Sequence, residues 1–215
     1  MLAHAKQADS FLNPAGKSRS GTGIRTMNQM IHLKRLDLSH VDDVARLIAD
    51  PDVSVPANFP CPLPEDFALK YVRMRIQEYE ENSSLTLAVL SGREFVGTCS
   101  LHSRYFDLPW AELTFWIGKP YWGRGFASLA VEQTLIRAFE DMALELITAR
   151  CFENNLASQA VLARHEFQFS ETVDLSGSGL RIKANHYQLT REQWRVRRSG
   201  TALSGTRHQS TTIIF

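Results

Sequence analysis

The chain has 215 residues, 44% of them hydrophobic, and a formal net charge of +1, which suits one domain around one sizeable core. Its basic residues are scattered apart from Arg195, Arg197 and Arg198, so neither a nucleic-acid-binding nor a membrane-surface protein is expected, since either would concentrate positive charge on one face. No apolar run approaches the roughly 18 residues that a membrane-spanning helix needs.

Residues 1–30 are poor in acids, carry Lys6, Lys17, Arg19 and Arg25, and include a Ser/Gly/Thr stretch from Gly16 to Thr26. This predicts a disordered leader. An organellar transit peptide is one alternative, and residues upstream of a start at Met27 or Met30 are the blander one. The folded domain is expected over 31–196 and a flexible tail over 197–215. The chain reads as a short strand from Ile31 to Leu36, then a helix from Ser39, whose hydroxyl can cap it, to Ala49, with Val41, Val44, Ala45 and Ile48 as its apolar stripe. Five prolines between Pro51 and Pro64 predict an irregular loop. A helix follows over 65–81. Strands are predicted over 85–90, 95–103 and 111–118, joined by tight turns as an antiparallel meander. The rest reads as helix 126–142, strand 146–151, helix 155–164 and strands 167–173 and 182–189. This order describes an α/β (α+β) domain with a mixed, mostly antiparallel central sheet and flanking helices. Cys61, Cys99 and Cys151 are far apart and none sits in a CxxC pair, as for reduced thiols in the cytoplasm.

Three segments carry chemistry. The first, Tyr121-Trp122-Gly123-Arg124-Gly125-Phe126-Ala127-Ser128, lies between a strand and a long helix. Its small residues allow backbone N–H groups to approach an anion, and the positive end of the helix dipole favours a di- or triphosphate there. A tight turn before a helix would need the same glycines. The dinucleotide fingerprint is set aside because hairpin-linked strands precede the loop and position 128 is not glycine; a Walker loop is set aside because no Gly-Lys-Ser/Thr ending is present.

The second is Glu112, which alternates with the Leu113/Phe115 face of its strand. It reads either as a solvent-exposed or ion-paired residue at a strand start or as a general base whose partial burial raises its pKa towards the working pH. The third runs from Glu153 to Leu162. Asn155 can cap the helix that follows, and Ser158, near the third helical position, is either a capping or surface serine or a hydroxyl beside a leaving group.

Taken together, Ala111-Glu112-Leu113-Thr114-Phe115-Trp116-Ile117-Gly118, the 121–127 loop and Asn155-Leu156-Ala157-Ser158 with Val161-Leu162 resemble the GNAT superfamily of N-acetyltransferases. The nearest branch is the ribosomal-protein N-terminal acetyltransferase-like group, and the resemblance spans Ile31 to Trp194. It implies that acetyl-coenzyme A is the co-substrate and that no metal takes part. Backbone amides from Gly123 to Ser128, with Trp122, Arg124, Phe126 and Ala127 in the same loop and helix start, would hold its pyrophosphate. Pantetheine would run along Phe115, Trp116 and Ile117 and bond to Asn155. Strands 111–118 and 146–151 would pair in parallel and splay apart to admit the thioester. Glu112 matches the family's base and Ser158 its acid.

The sequence departs from the family at Leu162-Ala163-Arg164-His165, where many relatives carry a tyrosine proton donor, and at Glu166, where Gly-Phe is usual. The acid role therefore falls to Ser158 by default, and the helix end at Glu166 would be strained or differently built. His165 could compensate structurally or, as the lesser reading, act in catalysis. The acceptor stays open among a protein N-terminus, a lysine and a small amine. The proline-rich loop, helix 65–81 and loop Tyr105–Pro109 are expected to border its pocket by their place in the family fold. A coenzyme-binding sensor or scaffold without catalysis is the alternative function.

Overall fold

The computed structural model of the chain describes residues 31–103, 108–174 and 183–204, with side chains as far as 199. The predicted leader, the tail beyond 204 and most of the Tyr105–Pro109 loop lie outside the described residues.

Strand β1 (His32–Arg35) leads through a 3-10 turn (Leu38–His40) into helix α1 (Val41–Ile48). The sequence suggests Ser39 as the cap, but Asp37 holds that place. Its carboxylate accepts from the Ser39 amide at 2.9 Å, and its own amide donates to Nδ1 of His40 at 3.1 Å, so Ser39 sits inside the turn. The predicted irregular segment after Pro51 begins with a one-turn helix, α2 (Pro51–Ser54), capped by Asp50. Proline suits its first position because the missing N–H is one the helix leaves unpaired there and its φ is already helical. Helix α3 (Phe67–Glu80) follows, then β2 (Ser84–Ser91), β3 (Glu94–His102) and β4 (Trp110–Ile117). Helix α4 (Phe126–Ile136) ends earlier than its apolar pattern predicts, because a π turn (Arg137–Asp141) takes over its last stretch. The chain closes with β5 (Leu146–Phe152), α5 (Leu156–Arg164), β6 (Gln168–Asp174), β7 (Lys183–Thr190) and α6 (Arg191–Ser204). The expected domain boundary at residue 196 falls inside α6.

The seven strands form one sheet in the order β1-β2-β3-β4-β5-β7-β6. Among the described residues, β4 and β5 are the only neighbouring strands that run parallel. Side chains of successive strand residues point to opposite faces, and this sorts the helices. On one side the Trp116 ring meets Phe59 at 6.3 Å, and Phe59 meets Tyr71 of α3 at 5.3 Å. Cys99 is paired with Phe115 across β3 and β4 and lies beside Thr134 of α4. Helices α3 and α4 therefore cover opposite faces, with β2, β3 and β4 buried between them. Burial of the Cys99 thiol there pushes it up to about 12.

Parallel pairing of β4 with β5 runs only from Trp110–Leu146 to Leu113–Ala149. Beyond Leu113, β4 stays paired with β3 as far as Ile117, while β5 stays paired with β7 as far as Phe152. The strands part at that point, leaving backbone groups of two central strands turned to a gap.

Candidate active site

The loop after β4 is shaped by local bonds. A 3-10 turn (Lys119–Tyr121) reverses the chain, and the Trp122 indole N–H donates back to the Ile117 carbonyl at 2.6 Å. Gly123 and Gly125 then adopt φ of 74° and 77°, in the left-handed region. A side chain is strained there, by roughly 1–2 kcal/mol each. A Cβ added to either glycine would meet nothing within 4 Å, so the glycines meet a backbone requirement and not a packing one. Gly125 is the N-cap of α4, and with no side-chain oxygen to cap the helix, its first amides are available to an anion.

These amides face a cavity of about 420 Å³ that extends to Phe115, Trp116 and Ile117 of β4 and to Asn155 and Ser158 of α5. Its open cradle and long channel fit a pyrophosphate with an extended arm. Trp122, Gly123, Gly125, Phe126, Ala127 and Ser128 line it as well. Arg124 is the exception among the predicted loop contacts: its guanidinium lies over the Tyr121 ring at 5.6 Å. Arg164 lines the same cavity without having been singled out, although it falls three residues beyond Val161, at helical spacing.

A second cavity, of about 710 Å³, opens on the other side of the splay. Phe59, Tyr71, Arg75, His102, Glu112 and Arg150 are among its walls. Phe115, Trp116, Asn155 and Ser158 line both cavities, so the two meet where β4 and β5 part. The proline-rich segment and α3, which the family resemblance implies beside an acceptor pocket, border the second cavity.

Glu112 lines the second cavity, with 23% of its side chain exposed, and Arg150 holds it through two bonds, Nε to Oε1 at 2.7 Å and a terminal nitrogen to Oε2 at 2.8 Å. The residue is thus partly buried and ion-paired. Arg150 itself is 46% exposed, and the carboxylate raises its pKa. One strand away, His102 pairs with Glu112 across β3 and β4. Its ring touches the hydroxyls of Ser84 (2.9 Å) and Thr114 (3.0 Å) and a guanidinium nitrogen of Arg75 (3.2 Å). Burial first, and then the Arg75 charge, push His102 down to about 4. It is neutral and a poor base near neutral pH. Neither Arg150 nor His102 was singled out by sequence, because their significance depends on strand register.

Asn155 is the N-cap of α5: its Oδ1 accepts from the Ser158 amide at 3.0 Å, a bond worth about 1 kcal/mol. Ser158 is the third residue of that helix. At the other end of α5, Glu166 adopts φ of 61°. The Phe167 amide reaches the Leu162 carbonyl (3.1 Å) and the Glu166 amide that of Ala163 (3.0 Å), which is the Schellman arrangement. The left-handed turn that glycine would supply is therefore kept, with glutamate in the strained position. His165, beside it, is buried among α4 and α6 and lies outside the junction.

The family model for the acetyltransferase (GNAT) domain matches residues 31–168. Among curated proteins, the chain is 25% identical over 186 residues to the FsC-acetyl coenzyme A-N(2)-transacetylase of Aspergillus fumigatus, covering 76% of this chain and 77% of that one. It is 24% identical over 143 residues to an uncharacterized N-acetyltransferase, p20, of Bacillus licheniformis, covering 65% and 80%. Among solved structures, the ribosomal L7/L12 alpha-N-protein acetyltransferase RimL in complex with coenzyme A superposes with a TM-score of 0.69 at 17% identity, over 76% of this chain and 96% of that one. The spermidine N-acetyltransferase of Vibrio cholerae with coenzyme A and spermine gives 0.68 at 14%, over 77% and 98%. At these identities the solved structures share the fold.

Proposed function

The chain belongs to the GNAT acetyltransferase family and is an N-acetyltransferase, and from that premise we propose that it moves an acetyl group from acetyl-coenzyme A to the primary amine of a small molecule or a peptide N-terminus by direct attack. One observation carries this reading: a glycine cradle opens a channel that meets a second, larger cavity where two parallel strands part.

When bound, the coenzyme supplies an activated acetyl thioester; the protein's own groups do the rest. Amides from Gly123 to Ser128 hold the pyrophosphate, and Phe115 to Ile117 flank the pantetheine arm. Oδ1 of Asn155 caps the helix, and its Nδ2 is a donor available to that arm. The acceptor enters from the side of Phe59, Tyr71 and Glu112. An amine is nucleophilic only when neutral, and unperturbed amino-terminal and lysine groups titrate near about 8 and 10, so a base must take a proton. Glu112 is that base, directly or through a water, with Arg150 yielding one carboxylate oxygen as the ammonium arrives. Backbone N–H groups of β4 near Phe115 or Trp116 meet the charge that builds on the acetyl oxygen, and Ser158 donates to the departing sulfur. Enclosing both reactants at one junction supplies much of the rate. The two relatives named for a peptide N-terminus and for spermidine support an amine acceptor.

The Arg150 grip on Glu112 is the observation that favours a coenzyme-binding sensor instead. Incubation with acetyl-coenzyme A and a panel of amines and peptides, following free thiol and product mass, separates the two. Thiol release matched by acetylated amine is expected; coenzyme binding without release for any acceptor would favour the sensor.

A further inference from the structure

His165 is a buried titratable group that the transfer chemistry leaves unused. Its side chain is 3% exposed, and both ring nitrogens are engaged. Nε2 lies 3.0 Å from the Ser128 carbonyl oxygen and 3.0 Å from the Ser128 hydroxyl. A carbonyl oxygen can only accept, so Nε2 carries the proton and its N–H forks to both oxygens. Nδ1 lies 3.2 Å from a guanidinium nitrogen of Arg197 and 3.1 Å from the Glu132 carboxylate, to which Arg197 also donates at 2.8 Å. A neutral ring accepts from Arg197 and a protonated one donates to Glu132; in both states Nε2–H still points at Ser128. The hydrogen bond with His165 first, and the Arg197 charge after it, outweigh burial and hold Glu132 down to about 2, so this end of the chain of contacts stays ionised.

Ser128 is the third residue of α4 and lines the channel described above. A helical serine left to itself tends to turn its hydroxyl back to the carbonyl four residues earlier. A hydroxyl that already accepts from an imidazole N–H is instead held outward, with its own hydrogen to give. We propose that His165 is a positioning residue for coenzyme binding, gripped by Glu132 and Arg197 so that it presents the Ser128 hydroxyl as a donor to the coenzyme's pyrophosphate. The inference rests on the placement of that pyrophosphate at residues 123–128. It also gives α6 a part in the site, since Arg197 from α6 and His165, the residue capping the end of α5, converge on α4.

The test is the dissociation constant for coenzyme A, measured by calorimetry, in wild type, Ser128→Ala, His165→Phe, His165→Asn, His165→Gln and the Ser128→Ala/His165→Phe double variant. A hydrogen bond to a charged group is lost in the single variants, so Ser128→Ala and His165→Phe should each weaken binding about tenfold, and the double variant no further. Glutamine places an amide nitrogen where Nε2 stands and should remain within about twofold of wild type, whereas asparagine reaches only the Nδ1 position and should resemble phenylalanine. If His165→Phe does not fold, the Asn/Gln contrast decides. Unchanged affinity in Ser128→Ala, equal affinity in the Asn and Gln variants, or losses that multiply in the double variant would overturn the proposal. The pyrophosphate placement is judged separately: Gly125→Val with undiminished coenzyme affinity would remove it, and this proposal with it.

Discussion

At Glu112 one side chain serves both as an ion-pair partner and as the candidate base, and the two roles make different demands. Exposed ion pairs contribute about 0–1 kcal/mol, so the bond to Arg150 is weak enough to open when an ammonium arrives yet keeps the carboxylate on the wall of the second cavity. Glu112→Gln is expected to leave coenzyme affinity unchanged and to lower kcat by about 10²-fold, with the deficit narrowing as pH rises past the pKa of the acceptor. Normal turnover in that variant would make the residue purely structural. Ser158→Ala should lower kcat by about tenfold, since its hydroxyl assists a thiolate that is already a good leaving group. Glu112 was legible in the sequence as a carboxylate in an apolar strand. Arg150 was not, because the pair spans 38 residues and depends on how far β4 and β5 run in register.

The strands and helices were recognisable where local chemistry dictates them. Turn signals bounded β2 to β4, alternation marked β4, and Asn155 located the start of α5. Misreadings fell where two local signals competed. Pro51 marks a loop in isolation but opens a helix behind Asp50, and Asp37, outside the predicted helix, caps the turn before α1. Helix α6 runs on past residue 196 although its sequence is polar, because Trp194 is buried against Phe139 at 5.2 Å between ring centres and Arg197 is tied to Glu132. The end of α5 makes an element-scale prediction. Glu166 sustains a left-handed φ that disfavours side chains by roughly 1–2 kcal/mol, and part of the relief on removing its side chain is offset by the greater freedom of glycine in the unfolded chain. Glu166→Gly should therefore stabilise the protein by about 0.5–1 kcal/mol, seen as a raised Tm with unaltered coenzyme affinity. A lower Tm would mean that the glutamate side chain contributes more than its strain removes.

At the scale of the whole molecule, two partly buried ionisable groups among the described residues link stability to acidity in the same direction. Glu132 is held down to about 2, below the ordinary 4.5, and His102 is pushed down to about 4, below the ordinary 6.5. In each case the unfolded chain binds its proton at a higher pH than the folded one. Stability is therefore full above the unfolded value and is lost as pH falls through the folded value. The His102 contribution should fade from pH 6.5 to about 4 and that of Glu132 from pH 4.5 to about 2. Melting curves across this range should show the gap between wild type and Glu132→Gln shrinking below pH 4.5, and His102→Gln should flatten the slope above it; a constant gap would contradict the linkage.

These features surround one arrangement, in which the sheet splits between β4 and β5 and the glycine loop stands at the mouth of the split. The most direct test is the response of backbone amide resonances to added coenzyme A. Saturable shifts in Gly123, Gly125, Phe126 and Ala127, accompanied by Phe115 to Ile117, are predicted. Saturable binding that leaves those amides unmoved, or no binding at all, would contradict the account.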